Sequence, residues 1–256
     1  MGGVPSVPTD PSRDIQVISA GYSRTGTVSM SLALEELLGG PVCHGGTQLL
    51  GREDEYVKKW IDVYRHRHDK PQLMKLLREV TRGFVAIADV PGNHFIPELM
   101  ELYPDARVVD VNRDPVKWWA SLGTVVQNAT PKWLYYFLMP MPGWRWFPVA
   151  IECMIQRSPE IPGNDVYGPE LLERHHKYLR DVVPGDKLLV MELKDGWAPL
   201  CKMLDKPVPN KPFPRVNDKD AVNALARKIM VKTALVWLGI FASIALVCWA
   251  NWRMIS

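Results

Sequence analysis

Residues 15–40, IQVISAGYSRTGTVSMSLALEELLGG, narrow the fold of this chain more than any other segment. They open with a short apolar run ending in Gly21, the pattern of a parallel strand buried on both faces. They close with Met30, Leu34, Leu37 and Leu38 at helical spacing, stopped by Gly39-Gly40-Pro41. A glycine-bounded turn lies between. A strand that passes through such a turn straight into a helix aims unpaired amides and the positive helix end at one point, where an anion settles. A plain strand-to-helix connection is the other use of the same pattern.

Gly21 and Gly26 have the G-x-x-x-x-G separation of a nucleoside-triphosphatase loop. Such a loop continues with Lys and then Ser or Thr, whereas Thr27-Val28 follow here. The chain therefore lacks the lysine and the Mg²⁺-holding hydroxyl of ATP hydrolysis. Its cation sits inside the loop, as Arg24.

The rest of the chain alternates. Residues 84–89, 106–111 and 187–191 read as further strands, and 53–64, 72–80, 96–103, 168–183 and 197–204 as helices. Another helix starts at Pro115, with Asp114 suited to its cap, and carries Trp118 and Trp119. The spacing predicts an α/β domain, a parallel sheet flanked by helices, over residues 15–217. His44 falls in a turn by this reading, and His175-His176 on a polar, solvated helix. Residues 131–155 are rich in aromatics and Met, and three uses stay open: an insertion packed on the core, an apolar acceptor pocket, or a surface resting on a bilayer. The proline-rich PVPNKPFPRVND forces an extended connection before a last helix near Asp218.

That last helix leads into TALVWLGIFASIALVCWA, residues 233–250, which holds no charged side chain. A helix of about 20 residues rises about 30 Å, the thickness of a bilayer's hydrocarbon core. Arg227, Lys228 and Lys232 precede the run, and Trp237, Trp249 and Trp252 suit interfacial belts. The expectation is an amphipathic lead-in and membrane anchor over 218–256, spanning about 233–252; a buried core helix is the alternative. The segment resembles a tail anchor. The positive-inside rule then places the preceding domain in the cytosol, with the endoplasmic reticulum as the expected membrane. Residues 1–14 read as a disordered leader, and Gly2 with Ser6 also fits an N-myristoylation pattern.

Net charge is +3, with no basic stripe interleaved with aromatics, so no nucleic-acid partner is expected. Four cysteines without C-x-x-C spacing suggest neither a disulfide framework nor a metal site.

The loop residues Ser23, Arg24, Thr25, Gly26, Thr27, Val28 and Ser29 resemble the 5′-phosphosulfate loop of the PAPS-dependent sulfotransferases. A second landmark is Arg113 in VVDVNRDPVKWWAS, with Ser121 two helical turns on. That pair resembles the family's grip on the 3′-phosphate of its donor; a salt bridge to Asp114 is the plainer role for Arg113. AGYSRTGTVSMSLALEEL, DVPGNHFIPELMELYPDARVV and DGWAPLCKMLDKPVPNKPFPRVND are similar to a divergent, fungal-rich branch of the family. The resemblance implies a P-loop sulfotransferase-like fold, PAPS as donor with PAP as product, no metal, and a basic loop that neutralises charge on the leaving phosphate.

One position departs from the pattern. Where typical members carry His-x-Pro, supplying the general base, this chain reads Asp89-Val90-Pro91. Asp89, His44 and His94 are the candidates for that role, and Val28 removes one hydroxyl that relatives often bring to the phosphate. Three functions follow. The first is sulfuryl transfer to a hydroxyl of a lipophilic small molecule at a membrane surface. The second is the same fold turned to a cyclisation or elimination in small-molecule biosynthesis. The third is a non-catalytic nucleotide-binding membrane protein.

Overall fold

The computed structural model describes residues 6–49, 52–129, 131–216 and 218–255. Strand β1 (Val17–Ser19) is followed by α1 (Thr27–Leu38), and β2 (Val42–His44) by α2 (Gly45–Gln48), α3 (Asp54–Arg65) and α4 (Lys70–Thr81). Strand β3 (Ala86–Ala88) passes through a 3₁₀ turn, Gly92–His94, to α5 (Ile96–Leu102). After β4 (Arg107–Asn112) come α6 (Pro115–Ala129), α7 (Trp133–Phe137), α8 (Phe147–Arg157) and α9 (Glu170–Val182). The last elements are β5 (Leu188–Glu192), α10 (Trp197–Leu204) and α11 (Asp218–Ile255).

The five strands pair in the order β2-β3-β1-β4-β5, every pair parallel. Successive strand residues point to opposite faces. Val17, Val42, Ala86 and Val109 face Met30 and Leu34 of α1 and Leu200 of α10. Ile18, Cys43, Ile87 and Val108 face Trp60, Leu77, Leu99 and Leu179, from α3, α4, α5 and α9. Both faces are dry, which is why the strands read as unbroken apolar runs rather than as alternation. Burying each large side chain here contributes about 1.5–3 kcal/mol.

The expected strands and helices are present, with the proposed bounds for α10 and the proposed start for α11. The structure adds β2. Residues expected as a turn instead form a strand, with Cys43 opposite Ile87 and His44 opposite Ala88. The aromatic stretch folds into α7 and α8, and Val149, Ala150, Cys153 and Met154 of α8 pack on the core. Of the leader, residues 1–5, Gly2 included, lie outside the described residues. Its end is tied down: Arg13 donates to the carbonyls of Gly39 at 2.6 Å and Leu38 at 2.8 Å. The proline-rich connection runs back over the domain, where Trp197 Nε1 donates to Lys211 O at 2.7 Å and Val216 N to Ser29 Oγ at 3.1 Å.

Helix α11 contains one stretch, Ala224–Ile255, long and apolar enough to cross a membrane, and its most apolar 18-residue window has a mean hydropathy of 2.1. Only 6% of its most apolar window is buried, so it is not a core helix. Ile229 and Thr233 are buried near its start, and from Phe241 to Ile255 every residue is exposed.

Candidate functional site

The sheet order places β1 in the middle, with later strands added on either side. Loops leaving β1 and its neighbours in opposite directions open a crevice at the carboxyl edge, the place where α/β sheets take ligands. Four adjacent strands end there. Behind β1 comes the glycine loop, behind β4 Arg113, behind β3 Asp89, and β2 ends on His44 itself.

The loop turns on left-handed backbone. Gly26 has φ 101°, and Arg24 has φ 73°, a region that costs a non-glycine residue of order 1–3 kcal/mol. A Cβ on Gly26 would also lie 2.0 Å from Leu193 Cδ1 and push that side chain aside, but it is the backbone angle that calls for glycine. The turn delivers the N-terminus of α1, which carries no side-chain cap and no acidic residue in its first turn. Its leading amides are thus available to an anion.

Arg24 turns toward α6, where its Nε donates to Ser121 Oγ at 3.1 Å. Arg113 Nη1 donates to the Arg24 carbonyl. The groups expected at opposite ends of a donor, Arg24 and the Arg113/Ser121 pair, therefore meet on one side of the loop. Burial and the like charge of Arg24 both pull the pKa of the Arg113 guanidinium below its usual value, so an anion beside the two cations is favoured.

On the other side lies an acid–base cluster. Asp89 also has left-handed backbone, φ 68°. Its Oδ1 accepts from Ser23 Oγ and from Val90 N at 2.7 Å, and its Oδ2 accepts from Thr27 Oγ1 at 3.2 Å. His44 Nε2 stands 3.0 Å from Thr27 Oγ1 and 3.5 Å from Asp89 Oδ2. The hydroxyls of Ser23 and Thr27 face Asp89 and His44. Thr25 Oγ1 donates back to Tyr22 O at 2.8 Å, Ser29 holds the proline-rich segment, and Val28 is half-buried.

Gly45 allows β2 to come this close. A Cβ there would lie 1.2 Å from Val90 O, the carbonyl next to Asp89. His94 lies apart from the cluster in hydrogen bonding. Its Nδ1 pairs with the buried Tyr64 hydroxyl at 3.1 Å, and burial, then Arg157, pushes its pKa down to about 3.

Beneath the loop is a brace that the sequence reading misplaced. His175 and His176 are buried, not solvated: they share a face of α9 with Leu171, Leu172 and Leu179. His175 Nε2 donates to Ala20 O at 2.7 Å, and His176 Nδ1 to Asp110 Oδ2 at 2.6 Å. Trp118 Nε1 donates to Ser23 O at 2.9 Å, and Asn164 holds the Tyr22 hydroxyl at 2.7 Å. Burial lowers the pKa of His175 and keeps it neutral, as a donor to a carbonyl needs only one ring proton. The leucines at helical spacing around the pair were the signal in the sequence.

The fold and this edge are of the P-loop α/β class, with paired arginines on one side of the loop and a carboxylate–imidazole cluster on the other. The chain belongs to the sulfotransferase domain family, whose model matches residues 16–222. It is 30% identical over 217 residues to the Ava biosynthesis cluster protein M of Aspergillus versicolor, covering 80% of this chain and 82% of that one. Among solved structures, a sulfotransferase from Alicyclobacillus acidocaldarius aligns with a TM-score of 0.39 and 16% identity, covering 87% of this chain and 95% of that one. The sulfotransferase STF9 from Mycobacterium avium aligns at 0.36 and 14%, covering 78% and 66%. Both likenesses are too loose to bear on the site. Among the described residues, no group of three His, Cys, Asp or Glu is placed to hold a metal ion.

Proposed function

We propose that this protein transfers a sulfuryl group from PAPS to a hydroxyl of a lipophilic small molecule at a membrane surface. The observation that carries this reading is the convergence of Gly26, Arg24, Arg113, Asp89 and His44 at the carboxyl edge of four neighbouring strands. The residues fit a donor with two anionic ends. The uncapped α1 amides and Arg24 suit the phosphosulfate, and Arg113 and Ser121 suit the second phosphate. When bound, PAPS supplies a sulfuryl group whose S–O bond to phosphate breaks as an S–O bond to the acceptor oxygen forms.

The protein's part is to hold charge and accept one proton. Thr27 donates to Asp89, so it accepts from His44 Nε2–H, and this polarity makes Nδ1 the basic nitrogen of His44. That nitrogen is buried, so the acceptor's hydroxyl proton passes to the Asp89 carboxylate, which His44 holds in place directly and through Thr27. His94, already paired with Tyr64 and held neutral by burial, is the poorer acceptor. Arg24 and the loop amides face the phosphate as it takes up charge, and being fixed beforehand they reorganise little.

The biosynthetic-cluster relative supports a small organic acceptor, and equally supports a different step on the same fold. PAP titration with thermal unfolding separates these. PAP is expected to raise the melting temperature, and Arg113→Ala to weaken PAP at least about tenfold, the loss of roughly one charged hydrogen bond. Unchanged affinity in Arg113→Ala would discard the 3′-phosphate contact. Transfer of labelled sulfate to a hydroxylated lipid or phenol supports the activity, and PAP binding without transfer to any acceptor counts against it.

A further inference from the structure

We propose that α7 is a second membrane contact, an interfacial foot that enters the headgroup layer beside α11 and sets the domain's orientation on the bilayer; the proposal rests on the spanning role of α11. Two faces of α7 and of the turn that follows it carry it. Leu134 and Leu138 point inward and are buried against Ile229 of α11. Trp133, Tyr136 and Met139 point outward and are 52%, 71% and 54% exposed. Three large apolar or amphipathic side chains spaced in threes on one exposed surface are costly in water and at home among headgroups.

Position along α11 decides what covers them. The fully exposed part, Phe241 to Ile255, rises about 22 Å, too short for a hydrocarbon core of about 30 Å. A span ending at Arg253 must reach back about 20 residues, to the neighbourhood of Thr233. Thr233 to Trp237 is where α7 is fastened: Trp237 Nε1 donates to Phe137 O at 2.9 Å, and Trp237 stacks on Phe241 at 5.4 Å. If α11 spans, α7 lies at the near interface.

Charge agrees with a lipid surface. Lys132, Arg227, Lys228 and Lys232 are exposed at this level, and the last three share one exposed face of α11 with Ala224, Val231 and Leu235. Cations flanking an apolar strip suit anionic headgroups over acyl chains. A self-associating face of the same chain would bring those cations together.

The foot is rigidly joined to the domain. Tyr135 donates from its hydroxyl to Glu152 of α8 at 2.5 Å, and α8 packs on the core. One spanning helix leaves a domain free to swing; two contacts at different points restrict it. Helix α6, 15 residues and about 22 Å long, connects Arg113 to the foot, so the crevice is held within reach of the bilayer.

The test uses the full-length chain in single-copy nanodiscs of phosphatidylcholine and phosphatidylserine. An environment-sensitive fluorophore is placed at Tyr136→Cys or Met139→Cys in a Cys153→Ser, Cys248→Ser background, where the remaining native thiols, Cys43 and Cys201, are buried. Asp105→Cys, at the opposite sheet edge, serves as the aqueous reference. Both foot positions are expected to be quenched several-fold more by a shallow nitroxide lipid than position 105. A separate Cys153→Ser chain labelled at native Cys248 reports the span through a deep nitroxide lipid. Quenched Cys248 with foot labels as wet as position 105 overturns the foot and leaves the anchor standing. Unquenched Cys248 overturns both. Protection of the foot only in discs holding two copies makes it a self-association surface and overturns the lipid contact.

Discussion

The carboxyl edge of the sheet and the α7–α11 foot are both functional surfaces, built by opposite means. At the edge, position is everything: Arg24 and Asp89 are held in left-handed backbone, and Asp89 accepts hydrogen bonds from Ser23, Val90 and Thr27. At the foot, residue type is what counts. From Phe241 onward α11 touches little of the domain, and one hydrogen bond, Trp237 to Phe137, is its directional tie to α7. The edge should therefore fail at single atoms, whereas the foot should tolerate any change that keeps its polarity.

The sharpest test of that contrast is a pair of glycines. Gly45→Ala drives a Cβ into Val90 O, a backbone atom that cannot turn aside, and is expected to cost about 4 kcal/mol or more, read as loss of domain folding in denaturant melts. Gly239→Ala on α11 meets nothing within 4 Å and should leave expression and membrane insertion intact. If both alanines are tolerated, the close approach of β2 and the Asp89 loop is wrong.

Next in size is Asp89→Asn. Asn tolerates left-handed backbone, so the fold should hold, while the amide cannot take over the carboxylate's charge beside His44. Turnover is expected to fall about 10²- to 10⁴-fold with PAP affinity little changed. Full activity would remove Asp89 from proton transfer.

His94 contributes a pH signature confined to the core. Its pKa falls from 6.5 in the unfolded chain to about 3, so above pH 6.5 neither state is charged and no penalty exists. As pH drops below 6.5 the unfolded chain takes up a proton that the fold refuses, and stability declines by about 1.4 kcal/mol per pH unit. Denaturant titrations near pH 7 and pH 5 should differ less in His94→Gln than in the wild type, by about 2 kcal/mol. An unchanged difference would mean that His94 is accessible to protons, and would return it to the candidates for base.

The smallest effect belongs to the foot. Trp237→Phe keeps the ring and removes the donor to Phe137 O, so it should cost about 1 kcal/mol in the docking of α7. Increased protease cutting between α6 and α8 in membranes would report it.

What is local is legible in consecutive residues. The β1 loop, with its glycines and Arg24, the helix from Thr27 to the Gly39 stop, the bounds of α10 and the apolar run of α11 are written in consecutive residues. Backbone conformation and hydropathy act over a few residues, so their pattern can be read directly. Tertiary structure decided everything that depends on neighbours far along the chain. Strand β2 has three residues and no period, and only its pairing with β3 makes His44 part of the edge. The ELLERHHKYLRDV helix has a polar composition, yet its two histidines are buried because Ala20 O and Asp110 wait for them across the core. The same holds for Asp89: its type is visible in the sequence, but its partners come from the glycine loop, β2 and α1, and only folding brings them within reach.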